Sequence, residues 1–141
     1  MLPFRVEFRA GISLCEQIVY AAKKAIISRQ LRPGDAFPSV RLISRELKIN
    51  PNTAHKVVSQ LLALGLLESR PGIGTVVTAL PESTRAERVE LLGTEIEQLV
   101  VEAKKLGIGI DEICDSVSGH WKRLSADVAQ SEPDRGGRGK R

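Results

Sequence analysis

The sequence predicts a mainly α chain with one small β-hairpin, and three observations predict it. Apolar residues recur three and four positions apart in five separate stretches, the spacing of one helix face. Two short strand-like runs, residues 66–70 and 75–79, flank Pro71-Gly72-Ile73-Gly74, which is a hairpin signal. Only 4% of the residues are aromatic, with one Trp and one Tyr, so the cores must be aliphatic and modest, as small helical folds are. The predicted architecture is an N-terminal helix-turn-helix with a β-hairpin wing, followed by a two-helix C-terminal region.

Residues 31–77 organise the rest. Pro33-Gly34 breaks the chain, because Pro fixes φ and Gly tolerates positive φ. Ser39 caps a short helix with Val40, Ile43 and Leu47 on one face. Residues 48–50 form the turn. Asn50 caps the next helix, and Pro51 takes its first position, where a missing N–H costs nothing. That helix runs to about Leu64, with Ala54, Val57, Val58, Leu61, Leu62 and Leu64 read as its buried side and Gly65 as its stop. Upstream, Phe4, Val6 and Phe8 alternate with Arg5, Glu7 and Arg9, a short strand pattern that either joins the wing sheet or packs on the helices. Ser13 and Glu16 form a capping box for a first helix, whose stripe is Leu14, Ile18, Ala21, Ala22, Ala25 and Ile26.

The polar residues of this stretch have the chemistry of a nucleic-acid reader. A helix fits the major groove and reads bases mainly from its N-terminal end. Here that end offers Asn50, Asn52, Thr53, His55 and Lys56, with Arg41 in the preceding helix. Asn can pair with adenine, Thr can reach a base or phosphate, and Lys or Arg can neutralise a phosphate. Arg70 beside Gly72 and Gly74 suits a narrow minor groove. Taken singly, each residue has a plainer reading: a cap, a surface histidine, a hairpin turn. Their order and spacing together support the functional one. Gly72-x-Gly74 is no dinucleotide fingerprint, because no third Gly and no helix follow.

With these residues in view, residues 12–79 resemble the DNA-binding domain of GntR-type bacterial transcription regulators. The matching positions are Leu31-x-Pro33-Gly34-Asp35-x-x-Pro38-Ser39-x-Arg41, Asn52-Thr53, Leu61 with Gly65-Leu66, and Gly72-x-Gly74-Thr75-x-Val77, with Gln17-Ile18 at the entry of the first helix. Phe37 stands where Leu is usual, and Leu42-Ile43 replaces a common Glu-Leu, which alters a surface charge. The resemblance implies that Arg41, Asn52, Thr53 and His55 contact DNA and that Gly72 tips a minor-groove wing. It further resembles the YtrA-type branch, whose rear is a small dimerisation region and whose members often control transporter operons. A homodimeric repressor on a palindromic operator is the implied function. The alternative from another class is a winged-helix module that docks proteins.

The rear is predicted as a linker at 80–84, two helices over 85–125 and a disordered tail over 126–141. Val89, Leu92, Ile96, Leu99, Ala103 and Leu106 step by 3 and 4 in an a/d pattern, and Ile113, Val117 and Trp121 continue at helical spacing. Such a stripe packs either on its own N-terminal domain or, more economically, on a second copy of the chain. Charge divides likewise: residues 1–79 hold 11 Lys/Arg against 5 Asp/Glu, and the remainder 10 against 12, so a polyanion would meet the front. Cys15 and Cys114 sit among apolar residues, so a disulfide framework is not expected and the reducing cytoplasm is. No apolar leader or membrane-length span is present in the sequence. His55 and His120 have no partners at nucleophile or metal spacing, so neither an enzyme nor a cofactor is expected. The sequence identifies no effector.

Overall fold

The computed structural model describes residues 1–131, with side chains as far as Ser125. The chain from Met1 to Pro81 forms one compact unit and Glu82–Ala126 a second.

The first unit is α1 (Leu14–Ile27), α2 (Val40–Leu47), α3 (Pro51–Ala63), β1 (Leu67–Arg70) and β2 (Gly74–Val77). Each helix starts on a polar side chain that accepts an otherwise orphaned backbone N–H. Ser13 Oγ accepts from Glu16 at 3.0 Å, Ser39 Oγ from Leu42 at 3.1 Å, and Asn50 Oδ1 from Asn52 at 2.7 Å. The capping box expected at Ser13 is half formed: the Glu16 carboxylate makes no reciprocal bond among the described residues. Between α2 and α3 the chain turns through Lys48 in the left-handed region, φ 56°. Ser44 ties that turn back by donating its hydroxyl to the Ile49 carbonyl at 2.7 Å.

The helix α3 packs on both α1 and α2. Ile18, Ile43, Val57, Leu61 and Val77 are wholly buried between them, with Phe4, Leu31, Phe37 and Leu67 closing the edges. Leu62 and Leu64, read as buried, are 37% and 50% exposed. Leu62 is one residue, hence about 100° of helix rotation, past the inward-facing Leu61. Leu64 is the C-terminal cap, where the wheel no longer applies.

The N-terminal alternation does not become a strand. Phe4 is buried and stacks on Phe37 with centroids 5.9 Å apart and Val6 is half-buried, but Phe8 is 46% exposed, so the period reports burial only at its first two apolar positions and no pairing. Gln17 fastens this segment to α1: its Oε1 accepts from the Arg9 N–H at 2.6 Å, and its Nε2 donates to the carbonyls of Arg9 and Ile12 at 3.0 and 2.8 Å. The free edge of β2 is already taken. Residues 34–37, read from the sequence only as a turn, run antiparallel to β2: Gly34 N–H donates to Val77 O, Val77 N–H to Asp35 O, and Phe37 N–H to Thr75 O, all at 2.7–2.9 Å. The hairpin β1–β2 pairs Leu67 with Val77 through to Arg70 with Gly74.

In the second unit Thr84 and Glu87 complete a reciprocal capping box for α4 (Arg85–Val89). A π-helical segment, Glu90–Glu95, then leads into α5 (Ile96–Lys105), and α6 (Ile110–Ser131) follows after Gly107. The π segment corrects the sequence reading of one continuous a/d stripe. A π turn holds about one residue more than an α turn, which rotates what precedes it by roughly 100°. Val89, ahead of the segment, is therefore turned away from the face of Ile96, Leu99, Ala103 and Leu106, whereas Leu92, inside it, stays about one turn from Ile96. Ala103 is buried within the unit, whereas Leu92, Ile96, Leu99, Leu106, Val117 and Trp121 stay exposed, Trp121 by 74%. The helix α6 runs on through 126–131, residues assigned to the tail by their composition, and the rest of that tail lies outside the described residues. Among the described residues no helix is long and apolar enough to cross a membrane.

Two measurements check this packing. Leu61→Ala should cost about 3 kcal/mol, as other large-to-small core changes do, and Leu62→Ala less than about 1; equal losses in thermal melts would contradict the rotation of α3. Burial raises the Cys15 thiol pKa, and the opposing pull of Lys56 only partly offsets it. A raised pKa leaves less thiolate near pH 8, so iodoacetamide should label the exposed Cys114 before Cys15. Faster labelling of Cys15 would show that its environment is not the one described.

Candidate nucleic-acid interface

Because Ala54, Val57 and Leu61 turn inward, the opposite face of α3 is presented to solvent. Asn52, His55 and Lys56 are exposed on it, and Thr53 is half-buried. Ser59 lies four residues past His55 on the same face and is also exposed. The sequence reading missed it, although that spacing was the available signal.

Asn50 was read both as a cap and as a DNA contact. Its Oδ1 accepts from the Asn52 N–H, and its amino group is the end offered outward. A bidentate grip on adenine needs both ends of the carboxamide, and at Asn50 the oxygen is already turned to the helix start, with one of its lone pairs engaged by the cap.

The helix α2 carries more charge than the single Arg41 picked out from the sequence. Arg41 and Arg45 stand four residues apart on α2, and Lys48 caps its C-terminal end in the left-handed region; all three are exposed. Two cations thus share a face of the helix that packs against α3, and a third stands at the turn that follows it. The sequence reading assigns Lys48 to the turn, where the structure places it, and does not include Arg45.

In the wing, Gly72 and Gly74 have φ of 78° and 111°, and a Cβ built at either would meet nothing within 4 Å. Backbone conformation, not crowding, thus requires glycine there. The tip is closed by the Ile73 N–H donating to the Arg70 carbonyl at 3.0 Å. Ile73 itself is 69% exposed, so the tip expected to lack bulk presents one aliphatic side chain. Arg70 sits opposite Gly74, and its Nε donates to Glu68 Oε2 at 2.7 Å, an exposed ion pair that the sequence reading did not foresee. Among the described residues no group of three or more His, Cys, Asp or Glu could hold a metal ion.

These features join a larger set. The sequence profile of bacterial regulatory proteins of the gntR family matches residues 14–77. The HTH-type transcriptional repressor YtrA of Bacillus subtilis (strain 168) is 27% identical over 125 residues, 88% of this chain and 93% of YtrA. The uncharacterized HTH-type transcriptional regulator YhcF of the same organism is 30% identical over 106 residues, 75% of this chain and 84% of YhcF. Among solved structures, the transcriptional antiterminator of Listeria monocytogenes EGD-e superimposes with a TM-score of 0.75 over 86% of this chain and 92% of that one, at 20% identity, a likeness of fold. The chain belongs to the gntR family of bacterial regulatory proteins, as a DNA-binding winged-helix transcription regulator of the YtrA type.

Proposed function

We propose that the protein is a homodimeric repressor that reads a palindromic operator. One observation carries the reading: the exposed polar face of α3 lies on a helix packed against α2, whose Arg41 and Arg45 share an exposed face, with exposed Lys48 at the turn between the two helices. In this geometry α3 enters the major groove, α2 crosses the backbone, and Asn52, Thr53 and His55 meet base edges. Lys56 and the amino group of Asn50 meet phosphates. The wing, with Arg70, Gly72, Ile73 and Gly74, reaches the adjacent minor groove, where apolar and Arg side chains both find use.

Residues 1–79 form the DNA-binding domain, 80–84 the linker and 85–125 the dimerisation region. What supports dimerisation is apolar surface left uncovered in one copy: Leu92, Ile96, Leu99 and Leu106 before Gly107, and Val117 and Trp121 on α6, which also carries the half-buried Ile113. Val89, exposed ahead of the π segment, and Ala103, already buried within its own unit, complete the proposed stripe. One small winged helix touches too few bases for useful specificity, and a two-fold pair reads two half-sites about one turn apart. The sign of regulation is supported by the repressor name of the Bacillus relative.

Fluorescence anisotropy on DNA upstream of the protein's own gene, against a scrambled duplex at two salt concentrations, tests the reading. A preference of about 10³ with a steep salt slope is expected, and weak, equal binding to both duplexes contradicts it. Arg41→Ala should weaken binding to all sequences and lower the salt slope by about 1, whereas Asn52→Ala or His55→Ala should relax discrimination at single base pairs by about 1–3 kcal/mol. Leu99→Glu should sediment as a monomer with an unchanged winged-helix melt and lose about 100-fold or more in operator affinity; a mass that stays dimeric would remove Leu99 from the interface. Added to in vitro transcription from the bound promoter, the wild type should lower the transcript yield.

A further inference from the structure

The Glu68–Arg70 pair has no part in the fold. Both side chains are nearly half exposed, at 46% and 47%, and neither closes a turn or caps a helix. They lie two residues apart on β1 and so share a face of the strand. Arg70 is the last residue of β1 and faces Gly74, so no side chain across the hairpin competes for its guanidinium. The bond to Glu68 uses Nε, which leaves the two terminal amino groups of Arg70 for an external acceptor. A carboxylate beside the wing tip is otherwise unfavourable in a surface built for a polyanion.

We propose that Glu68 is a specificity-determining positioning residue: its carboxylate holds the Arg70 guanidinium at the base of the wing tip and makes that cation selective for narrow minor grooves. The inference rests on the wing entering a minor groove. An exposed ion pair is weak and easily exchanged. A narrow, A-tract groove concentrates negative potential and can draw the guanidinium in past its partner. A wide G·C-rich groove, or an isolated phosphate, offers a smaller gain that repulsion from Glu68 offsets. Without Glu68 the same Arg would grip any phosphate, and binding would become tighter but less discriminating.

The test uses the full-length wild type, Glu68→Gln, Arg70→Ala and the double variant, with Arg41→Ala as a control. The probes are two duplexes carrying the site that the wild type selects from a random-sequence pool, with wing-facing flanks that are A-tract in one and G·C in the other. The wild type should prefer the A-tract duplex by about tenfold. Glu68→Gln should bind the G·C duplex roughly 3- to 10-fold more tightly, with its A-tract affinity within about twofold of the wild type and a steeper salt slope. In the Arg70→Ala background the same change should leave the flank preference unaltered. An unchanged flank ratio in Glu68→Gln, or an equal change in both backgrounds, overturns the inference while leaving the DNA-binding reading intact. Loss of selection for any site, with Arg41→Ala indistinguishable from the wild type, would overturn the DNA-binding reading and this inference with it.

Discussion

The constraint on which the structure depends is the rotation of α3 about its own axis. Ala54, Val57 and Leu61 must be buried against α1 and α2, and they are wholly enclosed there. Once they are, the outward direction of Asn52, His55 and Ser59 follows from 3.6-residue geometry with no further choice. A slip of one residue would bury polar groups without partners and cost several kcal/mol in a domain of modest stability. The reading face is thus held by core burial, even though none of its own residues belongs to the core. The turn at Lys48, the Ser44 bond and the Asn50 cap then fix how α2 meets α3, and with it where the cations of α2 lie beside that face.

The wing is held by a different device. A two-stranded hairpin alone is marginal in water. Here residues 34–37 supply a third edge, and the same short segment ends in Phe37, which stacks on Phe4. The loop that precedes α2 therefore does two jobs at once. It braces β2, and it closes the core under the N-terminal segment that Gln17 pins to α1. Only the tip, residues 71–73, lies outside the paired strands, with Arg70 and Glu68 at its base.

Much of this was legible in the sequence, where local chemistry decides the outcome. Ser39, Asn50-Pro51, Gly65 and Thr84 with Glu87 mark helix ends because caps and φ preferences act within a few residues. The charged and polar start of α3 was legible for the same reason. What escaped is non-local or breaks a period. The alternation of residues 4–9 could not tell a strand from a packed extended chain, because that depends on whether a sheet edge is free. The role of residues 34–37 as that edge's occupant depends on β2, about 40 residues further on. The π segment breaks a heptad that looks regular on paper, since nothing in the step sizes from Val89 to Leu106 announces an extra residue in a turn. Ion pairs such as Glu68 with Arg70 are set by side-chain reach and leave no pattern at all.

The rear unit and the front unit pose complementary problems. One leaves apolar side chains exposed, and the other presents a basic, polar face; the proposed second copy would cover the first and a duplex would meet the second. The central claim is that α3 and the wing read adjacent grooves in each of two related half-sites. Hydroxyl-radical footprinting of the protein on its selected site measures this directly. The account predicts two protected regions related by a two-fold axis with centres about one helical turn, 10–10.5 base pairs, or a multiple of it apart, each flanked by a protected stretch of minor groove. Protection of a single half-site, or of major-groove backbone with the flanking minor groove left open to cleavage, would contradict it.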